Sequence, residues 1–402
     1  ISQTVLTDSL NVQCEENLIS SCINMQMKES VKNEIIDILQ AAGEPVVKSD
    51  EMVCATLGEG RGMVSCLSSV NINGRSYAIK VSDASSRPNW KLYTQQHNRE
   101  LQVHQFFEKF RNGELISSTD ENLVRTVRFF GGSQCDRKKP GLLIMEDLTA
   151  ESTIPDKPSE GLPLATILSV ISGVAANQSA YLSVEEELEL IPKDLLFEPL
   201  CKWVNEDLEK ASKHEWFRAE WKEPLNVWAD PDNQRDCQYA REEGDLPLAL
   251  GHADMWMTNI LFEKKETSEA LQLLAFIDWQ CAIVGNALLD VASVVAFNMN
   301  ATERRKHEHE ILQHYVDEVK KRSGGFRKEF PIDTVDKLLP QYRRSLRFAA
   351  LQMLLRVAPE AKDKANAMES ARAETGKIDI GENERLGVYT QRFIGLLEDI
   401  VD

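Results

Sequence analysis

The sequence lacks the features that would direct a chain into a membrane or onto a nucleic acid. Its most apolar segment, LPLATILSVISGVAA at 162–176, is too short and too rich in Ser, Thr and Gly to span a bilayer. The opening residues ISQTVLTDSLNVQC have neither a basic region nor an apolar core, so we expect no signal peptide. Basic residues are in the minority, and the net charge of −18 argues against nucleic-acid and anionic-membrane partners.

Recognisable cysteine motifs are also absent. None of the eight cysteines forms a CxxC pair or stands near histidine at zinc-ligand spacing. In a chain of 402 residues, scattered cysteines predict reduced thiols and a cytoplasmic protein. The apolar content of 42% and the charged content of 27% are ordinary for a globular protein, and the length predicts two or three structural units.

The chain divides into a strand-rich part and a helix-rich part. Helical spacing of apolar residues predicts a helix at 25–42, and one further helix at 94–111 is expected among strands. The predicted strands, with their glycine turns, lie at 55–81, 123–130 and 141–148. Beyond residue 150 the periodicity predicts helices at 163–182, 184–212, 300–322, 333–357 and 382–400.

This pattern predicts an α+β protein with a bilobal architecture, in which a small antiparallel β-sheet lobe and a larger helical lobe enclose a cleft. We expect a helical extension at 1–45, a sheet lobe with one helix at 46–148 and a helical lobe at 149–402. A short β-like stretch at 249–284 interrupts the helical lobe.

That stretch contains a histidine, an aspartate and an asparagine in the sequence GHADMWMTNILF. His252, Asp254 and Asn259 have the HxDxxxxN spacing of a phosphoryl-transfer loop, in which Asp accepts the hydroxyl proton and Asn binds Mg²⁺. An alcohol is a poor nucleophile and the γ-phosphate is rich in negative charge. A carboxylate must therefore orient the hydroxyl, and hard oxygen ligands must hold a metal. Alone, the pattern could also be a loop with capping Asp and Asn.

Further candidate residues follow in the order that an ATP site requires. Asp278 ends the apolar strand AFIDWQ, 24 residues after Asp254, where a second metal-binding carboxylate belongs. Lys80 ends the strand YAIK and is a candidate ligand of the α- and β-phosphates. It needs a carboxylate from the next helix, for which Glu100 is the candidate and Glu108 its rival.

Two backbone sites complete the predicted nucleotide site. A glycine turn between two strands could let N–H groups approach phosphates, or could form a plain hairpin. Its glycines are Gly58, Gly60 and Gly62. The strand LLIMEDL at 142–148 would lead to a hinge where adenine meets backbone groups of Glu146 and Leu148, with Met145 behind; it could also be a plain edge strand.

The region after Asp278 indicates the class of acceptor. Only eleven residues separate Asp278 from Asp290, and no APE motif follows. A protein kinase needs a long activation segment there to seat a peptide. The sequence therefore predicts a small-molecule acceptor.

Together these motifs resemble the CHK kinase-like family, the ecdysteroid-kinase-like branch of the choline kinase and aminoglycoside phosphotransferase group. The resemblance covers about 50–360 and includes YRRSLRFAALQML at 342–354. It implies a protein-kinase-like fold, ATP and Mg²⁺ as cofactors, Asp254 as catalytic base, and Asn259 and Asp278 as Mg²⁺ ligands.

The resemblance also implies that Lys80 contacts phosphate and that Glu100 pairs with it. His252 would brace the loop rather than transfer protons, Asp290 would tie the loop to a following helix, and Trp256 would touch substrate or pack. One residue departs from the family, which usually has glycine between the His and the Asp. Ala253 stands there, and it is tolerated unless the position requires a positive φ.

The acceptor and the activity leave alternatives open. The family implies hydroxylated small molecules such as steroids, choline-like alcohols, glycosylated metabolites or xenobiotics. Choline or ethanolamine kinase is the alternative enzyme, since the glutamates of EEELE at 185–189 could attract a cation or could form a solvated face. A non-catalytic nucleotide or ligand sensor on the same fold is the alternative from another class.

Overall fold

The computed structural model describes residues 29–46, 52–56, 66–85, 87, 89–115, 124–155, 161–184, 188, 194–239, 245–265, 270–326, 330, 334–375 and 387–401. The chain divides into two compact units. The first comprises 1–112, 126–152 and 278–280, and the second comprises 113–125, 153–277 and 281–402.

The first unit is built on a five-stranded antiparallel sheet of order β1-β2-β3-β5-β4. Its strands are β1 (Met52–Thr56), β2 (Cys66–Ile72), β3 (Arg75–Ser82), β4 (Phe129–Ser133) and β5 (Gly141–Glu146). Asn73 and Gly74 join β2 to β3 with φ values of 53° and 81°. Two successive positive φ angles match the tight hairpin turn that an Asn-Gly pair favours.

Helix α1 (Glu29–Ala41) contributes directly to the core of this unit. This helix, the described part of the extension predicted at 1–45, therefore shares one apolar cluster with the sheet of the lobe predicted at 46–148. Its helical members are Val31, Ile35, Ile36 and Leu39, and its strand members are Val70, Ile72, Tyr77, Ile79, Val81, Leu142 and Ile144.

Strand β4 begins later than the sequence predicted. The strand predicted at 123–130 stops before Gly131 and Gly132. Strand β4 instead starts at Phe129 and continues through both glycines to Ser133. Both glycines are required by close approach rather than by a turn. A Cβ on Gly131, whose φ is +145°, would lie 2.6 Å from the Ile38 side chain, and one on Gly132 would lie 2.3 Å from the Leu142 carbonyl oxygen.

Helix α2 (Trp90–Arg111) begins four residues earlier than predicted and packs on the sheet through a buried histidine. His97 Nδ1 lies 3.0 Å from Ser82 Oγ, and its Nε2 lies 2.9 Å from the Ser133 carbonyl oxygen. A Cβ on Gly141 would meet the imidazole at 2.2 Å. These contacts fix the rotation of α2 relative to β3, which sets where Glu100, about one turn further along, is directed.

The second unit is mainly helical. Its helices are α3 (Leu164–Leu182), α4 (Asp194–Ala211), α5 (Lys222–Ala229), α6 (Pro231–Tyr239), α7 (Leu289–Asn298), α8 (Ala301–Arg322), α9 (Val335–Thr375) and α10 (Val388–Ile400). Helix α9 runs well past its predicted end. Helices α5, α6 and α7 were not predicted; α7 is buried on every side, so it has no polar face to produce a helical period.

Short antiparallel strands carry the loop that holds the HxDxxxxN motif. The strands of this part of the chain are β6 (Ser152–Thr153), β7 (Leu248–Gly251), β8 (Ile260–Glu263), β9 (Leu273–Phe276) and β10 (Ile283–Asn286). Strand β7 pairs with β10, with Gly251 opposite Ile283, and β8 pairs with β9, with Ile260 opposite Phe276. The motif lies between β7 and β8 and therefore has an anchored strand at each end.

Cysteines and helix hydropathy add two observations. Five cysteines with described side chains form no disulfide: Cys54, Cys135, Cys201, Cys237 and Cys281. No helix within the described ranges is both long and apolar enough to cross a bilayer.

Candidate active site

In the first unit, Lys80 on β3 lies between two carboxylates. Its Nζ is 2.7 Å from Glu100 Oε2 on α2 and 2.6 Å from Asp278 Oδ1. The Lys80 side chain is 9% exposed, that of Glu100 is 1% exposed, and that of Asp278 is 31% exposed. One face of the ammonium is therefore held by a buried partner and the other by a solvent-accessible one.

The competing carboxylate, Glu108, has a different role. It pairs with Arg111 in the next helical turn and accepts the Phe129 backbone N–H at 3.2 Å. Glu108 therefore tethers the end of α2 to the start of β4, and Glu100 is the residue that contacts Lys80.

The charges in this cluster stabilise one another. Burial alone would raise the pKa of Glu100, but the Lys80 ammonium and the neighbouring His104 lower it to about 2. Burial alone would lower the pKa of Lys80, but Asp278 and Glu100 raise it above its ordinary value. Both groups are therefore ionised at neutral pH, and the buried positive charge is retained at the end of β3.

His104 makes a second contact with Glu100, one helical turn further along α2. His104 Nε2 lies 3.9 Å from Glu100 Oε1, and the imidazole stacks on Phe129 with ring centroids 5.2 Å apart. His104 was not anticipated from the sequence, although its position four residues after Glu100 places it on the same helix face.

Asp278 has an unusual backbone conformation, with a φ of 65°. Aspartate and asparagine are among the few L-residues that tolerate this left-handed region. Its second carboxylate oxygen accepts the Gln280 side-chain amide at 3.2 Å. The following residue, Trp279, is buried and meets Phe107 of α2 edge-on at 5.0 Å. Asp278 is thus presented on a short turn that its own neighbours anchor.

The backbone after β5 is partly occupied. The Glu146 N–H donates to the Arg128 carbonyl oxygen at 2.9 Å, and the Leu148 carbonyl accepts the N–H groups of Glu151 and Ser152. A ligand at this segment would therefore meet the Glu146 carbonyl and the Leu148 N–H. The glycines Gly58, Gly60 and Gly62 lie outside the described residues.

In the second unit, Asn259 is oriented by Asp254. Its Nδ2 donates to the Asp254 carbonyl oxygen at 2.9 Å and to the carboxylate oxygen Oδ2 at 3.1 Å. Both partners are acceptors, so the amide nitrogen must face them and Oδ1 faces elsewhere. Asn259 therefore offers a hard oxygen ligand while it holds the aspartate in place.

His252 braces the same loop. Its Nε2 lies 2.8 Å from the carbonyl oxygen of Ile277, the residue that precedes Asp278 in the sequence. Ile277 in turn donates its N–H to the Asn259 carbonyl at 3.1 Å. The histidine is 1% exposed, so it joins the two motif segments rather than facing solvent.

Asp290, at the start of α7, binds the loop from the other side. Its carboxylate accepts the His252 N–H at 2.7 Å and the Ala253 N–H at 2.8 Å. The alanine at position 253 lies in an unusual backbone conformation, since its φ is 59°. This position does require the left-handed conformation, and alanine adopts it here.

Two further side chains hold carbonyl groups of the loop, and neither was anticipated. Asn298 Nδ2 donates to the Met255 carbonyl at 2.9 Å, and Gln352 Nε2 donates to the Ala253 carbonyl at 2.7 Å. The only signal for them in the sequence is an amide within an otherwise apolar helical run.

Trp256 packs beside the loop. It stacks on Phe297 with ring centroids 4.0 Å apart and meets Tyr389 edge-on at 5.4 Å. Trp256 is only partly buried, so packing accounts for much of its surface and leaves the rest exposed.

Within the described residues, no group of three or more His, Cys, Asp or Glu is arranged to hold a metal. A magnesium site does not need one. Mg²⁺ usually binds one or two protein oxygen ligands together with substrate phosphates and water. The Asp278 carboxylate in the first unit and the Asn259 side-chain oxygen in the second unit are each hard oxygen donors of the type that Mg²⁺ prefers.

Comparison with known structures identifies the architecture. A crystal structure from Ralstonia eutropha, named as an aminoglycoside phosphotransferase, has a TM-score of 0.50 and covers 91% of this chain and 97% of its own, at 12% identity. The fold is protein-kinase-like. The α+β class and the antiparallel sheet lobe predicted from the sequence are confirmed. A GDP complex of an aminoglycoside 2′-phosphotransferase IIIa variant covers 84% of this chain and 95% of its own, with a TM-score of 0.45 and 12% identity.

Sequence comparison gives a different name. The DUF1679 family model, described as Uncharacterized oxidoreductase dhs-27, matches residues 237–402. The Caenorhabditis elegans protein of that name is 24% identical over 327 residues, which are 75% of this chain and 38% of that protein. The chain therefore spans about two fifths of the length of this curated relative.

Proposed function

We propose that the protein is an ATP-dependent small-molecule O-phosphotransferase, which moves the γ-phosphate of Mg-ATP to a hydroxyl group of a small acceptor. The observation that carries the proposal is the buried pairing of Lys80 with Glu100 beside Asp278. A lysine that remains charged inside a protein, with one face on a partly exposed carboxylate, suits the binding of a polyanionic phosphate chain.

The motif loop supplies the complementary chemistry in this proposal. Asp254 accepts the proton of the acceptor hydroxyl as that oxygen attacks the γ-phosphorus, while the bond from this phosphorus to the bridging oxygen breaks and ADP leaves. Asn259 keeps the Asp254 carboxylate oriented through its amide nitrogen and offers Oδ1 to a metal. His252 and Asp290 hold the backbone on either side and take no part in the proton transfer.

Mg²⁺ fits the donors present, and Asp278 and Asn259 are its proposed ligands. When bound with ATP, the ion neutralises phosphate charge and orients the γ-phosphate. The Asp278 carboxylate contributes two oxygens, one now bonded to Lys80 and the other to Gln280. The Glu146 carbonyl and Leu148 N–H are the proposed contacts of the adenine, and Gly58, Gly60 and Gly62 are proposed to approach the phosphates.

The acceptor is proposed to be a hydroxylated metabolite, steroid or xenobiotic rather than a peptide. The short interval between Asp278 and Asp290 supports this, since it forms only a 3₁₀ turn and strand β10 before α7 begins. No observation favours a choline-like acceptor over the others, because the glutamates of EEELE lie outside the described residues.

A redox activity is not a second candidate. The oxidoreductase name belongs to a relative of which this chain spans 38%. The matched region 237–402 contains Asp254, Asn259 and Asp278, whose proposed roles are those of a phosphotransferase.

The test is the transfer of labelled γ-phosphate from Mg-ATP into a metabolite extract, with Asp254→Asn assayed in parallel. A labelled small molecule formed only by the wild type would support the proposal and provide the acceptor for identification. Binding of ATP in a thermal-shift assay, without transfer to any extract or pure alcohol, would instead favour a nucleotide sensor.

A further inference from the structure

Ala253 is held in a conformation that alanine seldom adopts. Its φ of 59° places it in the left-handed region, where an L-residue with a Cβ is disfavoured by about 1–2 kcal/mol. Glycine lacks this penalty because it has no Cβ. Alanine persists here only because its surroundings fix it, and the residue that follows is Asp254, the proposed base.

The contacts of Ala253 come from two helices. Its N–H donates to Asp290 on α7 at 2.8 Å, and its carbonyl accepts the Gln352 amide on α9 at 2.7 Å. Ala253 is 5% exposed and packs in a cluster that includes Phe348. Phe348 and Gln352 are four residues apart, so both project from one face of α9. Phe348 packs in the same cluster as Ala253, and Gln352 donates a hydrogen bond to the Ala253 carbonyl.

The two helices control different peptide groups. Asp290 binds the N–H groups of His252 and Ala253, which fixes the peptides before Ala253. It does not bind the peptide that joins Ala253 to Asp254. The carbonyl of that peptide is the group that Gln352 binds, so Gln352 controls the rotation that sets where the Asp254 side chain points.

We propose that Gln352 is a positioning residue for the reaction, which holds the peptide before Asp254 so that alanine can occupy the left-handed conformation. This inference rests on the proposed function. Gln352 lies 99 residues from Ala253 in sequence. It acts through the backbone of Ala253 rather than on substrate.

The test uses Gln352→Met, which keeps the length of the side chain and removes the donor, in the full chain. We expect kcat to fall about tenfold, the effect of losing one hydrogen bond to a strained peptide, and KM for ATP to stay unchanged. Gln313→Met is the matched control, since Gln313 is a partly exposed residue of α8 that bonds Asp317 at 2.9 Å. The control should retain wild-type kcat.

The rescue variant separates positioning from simple loss of stability. Ala253→Gly removes the conformational penalty. The double variant Gln352→Met/Ala253→Gly should therefore have a kcat at least fivefold higher than that of Gln352→Met. Ala253→Gly also removes the methyl group from the Phe348 cluster, which lowers stability. Recovery of kcat with no gain in Tm would therefore support positioning. A double variant as slow as Gln352→Met, or a Gln352→Met enzyme as fast as the wild type, would overturn the proposal.

An activity-independent measurement distinguishes failure of this inference from failure of the proposed function. Amide hydrogen exchange should accelerate at least tenfold in Gln352→Met at the N–H groups of Trp256 and Asn259, which are hydrogen-bonded within the loop that follows the freed peptide, and should be unchanged in Gln313→Met. Unchanged exchange in Gln352→Met would reject the role of Gln352 even if the enzyme is a kinase. Accelerated exchange in Gln352→Met, together with a wild-type protein that phosphorylates no acceptor, would reject the kinase while retaining the conformational role of Gln352.

Discussion

The two carboxylates on Lys80 are expected to differ in what their removal does. Replacing each by its amide, as Glu100→Gln and Asp278→Asn, keeps the shape and removes one negative charge. Glu100 is 1% exposed, whereas Asp278 is 31% exposed. The buried substitution should mainly reduce stability, and the exposed one should mainly reduce activity.

The expected magnitudes follow from the environments of the two groups. Lowering the pKa of Glu100 from 4.5 to about 2 corresponds to roughly 3 kcal/mol of stabilisation at neutral pH. Glu100→Gln should therefore lower the free energy of unfolding by about 2–3 kcal/mol. Asp278 is screened by solvent, and asparagine tolerates its φ of 65°, so Asp278→Asn should cost less than about 1 kcal/mol.

Urea unfolding at pH 7 and phosphoryl transfer from Mg-ATP measure the two effects. We expect Asp278→Asn to lose nearly all transfer and Glu100→Gln to retain more. Because the pKa of Glu100 is lowered on folding, its stabilisation is complete above pH 4.5 and is lost as the pH falls toward about 2. The difference in unfolding free energy between wild type and Glu100→Gln should shrink over that interval. A Glu100→Gln variant as stable as the wild type at pH 7 would refute this reasoning.

Three further results are expected. Asp254→Asn should lower kcat by about 10²–10⁴, the usual contribution of a positioned base, with the fold retained by circular dichroism; an unchanged rate would assign the role elsewhere. Chelation of Mg²⁺ by EDTA should stop transfer and added Mg²⁺ should restore it, whereas a metal-independent rate would exclude Asp278 as a metal ligand. Gly131→Ala should lower the free energy of unfolding by about 1–3 kcal/mol in urea, because the new Cβ meets Ile38 at a φ of +145°; an equally stable variant would show that α1 can shift.

The motif loop could be predicted because its functional residues lie close together in the sequence. His252, Asp254 and Asn259 have a spacing that phosphoryl transfer constrains, so their proximity follows from the chain itself. The choice between Glu100 and Glu108 could not be made in this way. The two residues are about 80° apart around α2 at 100° per residue, and the contact of His97 with Ser82 and Ser133 selects the face that meets Lys80.

The remaining parts of the site depend on contacts distant in sequence. Gln352 and Asn298 bind loop carbonyls 99 and 43 residues away, and no local pattern encodes such a pairing. From the sequence we could say only that a positive φ at position 253 would disfavour alanine. An alanine residue does not itself indicate that its φ is positive. The extent of β4 was missed since Gly131 and Gly132 are typical of turns, whereas here they allow close packing.

The contact between Gln352 and Ala253 also has an evolutionary consequence. In a relative with glycine at position 253, the left-handed conformation carries no penalty. The residue at position 352 then need not donate a hydrogen bond. A lineage that keeps alanine must keep the donor. The two positions are therefore expected to vary together among relatives although they lie 99 residues apart.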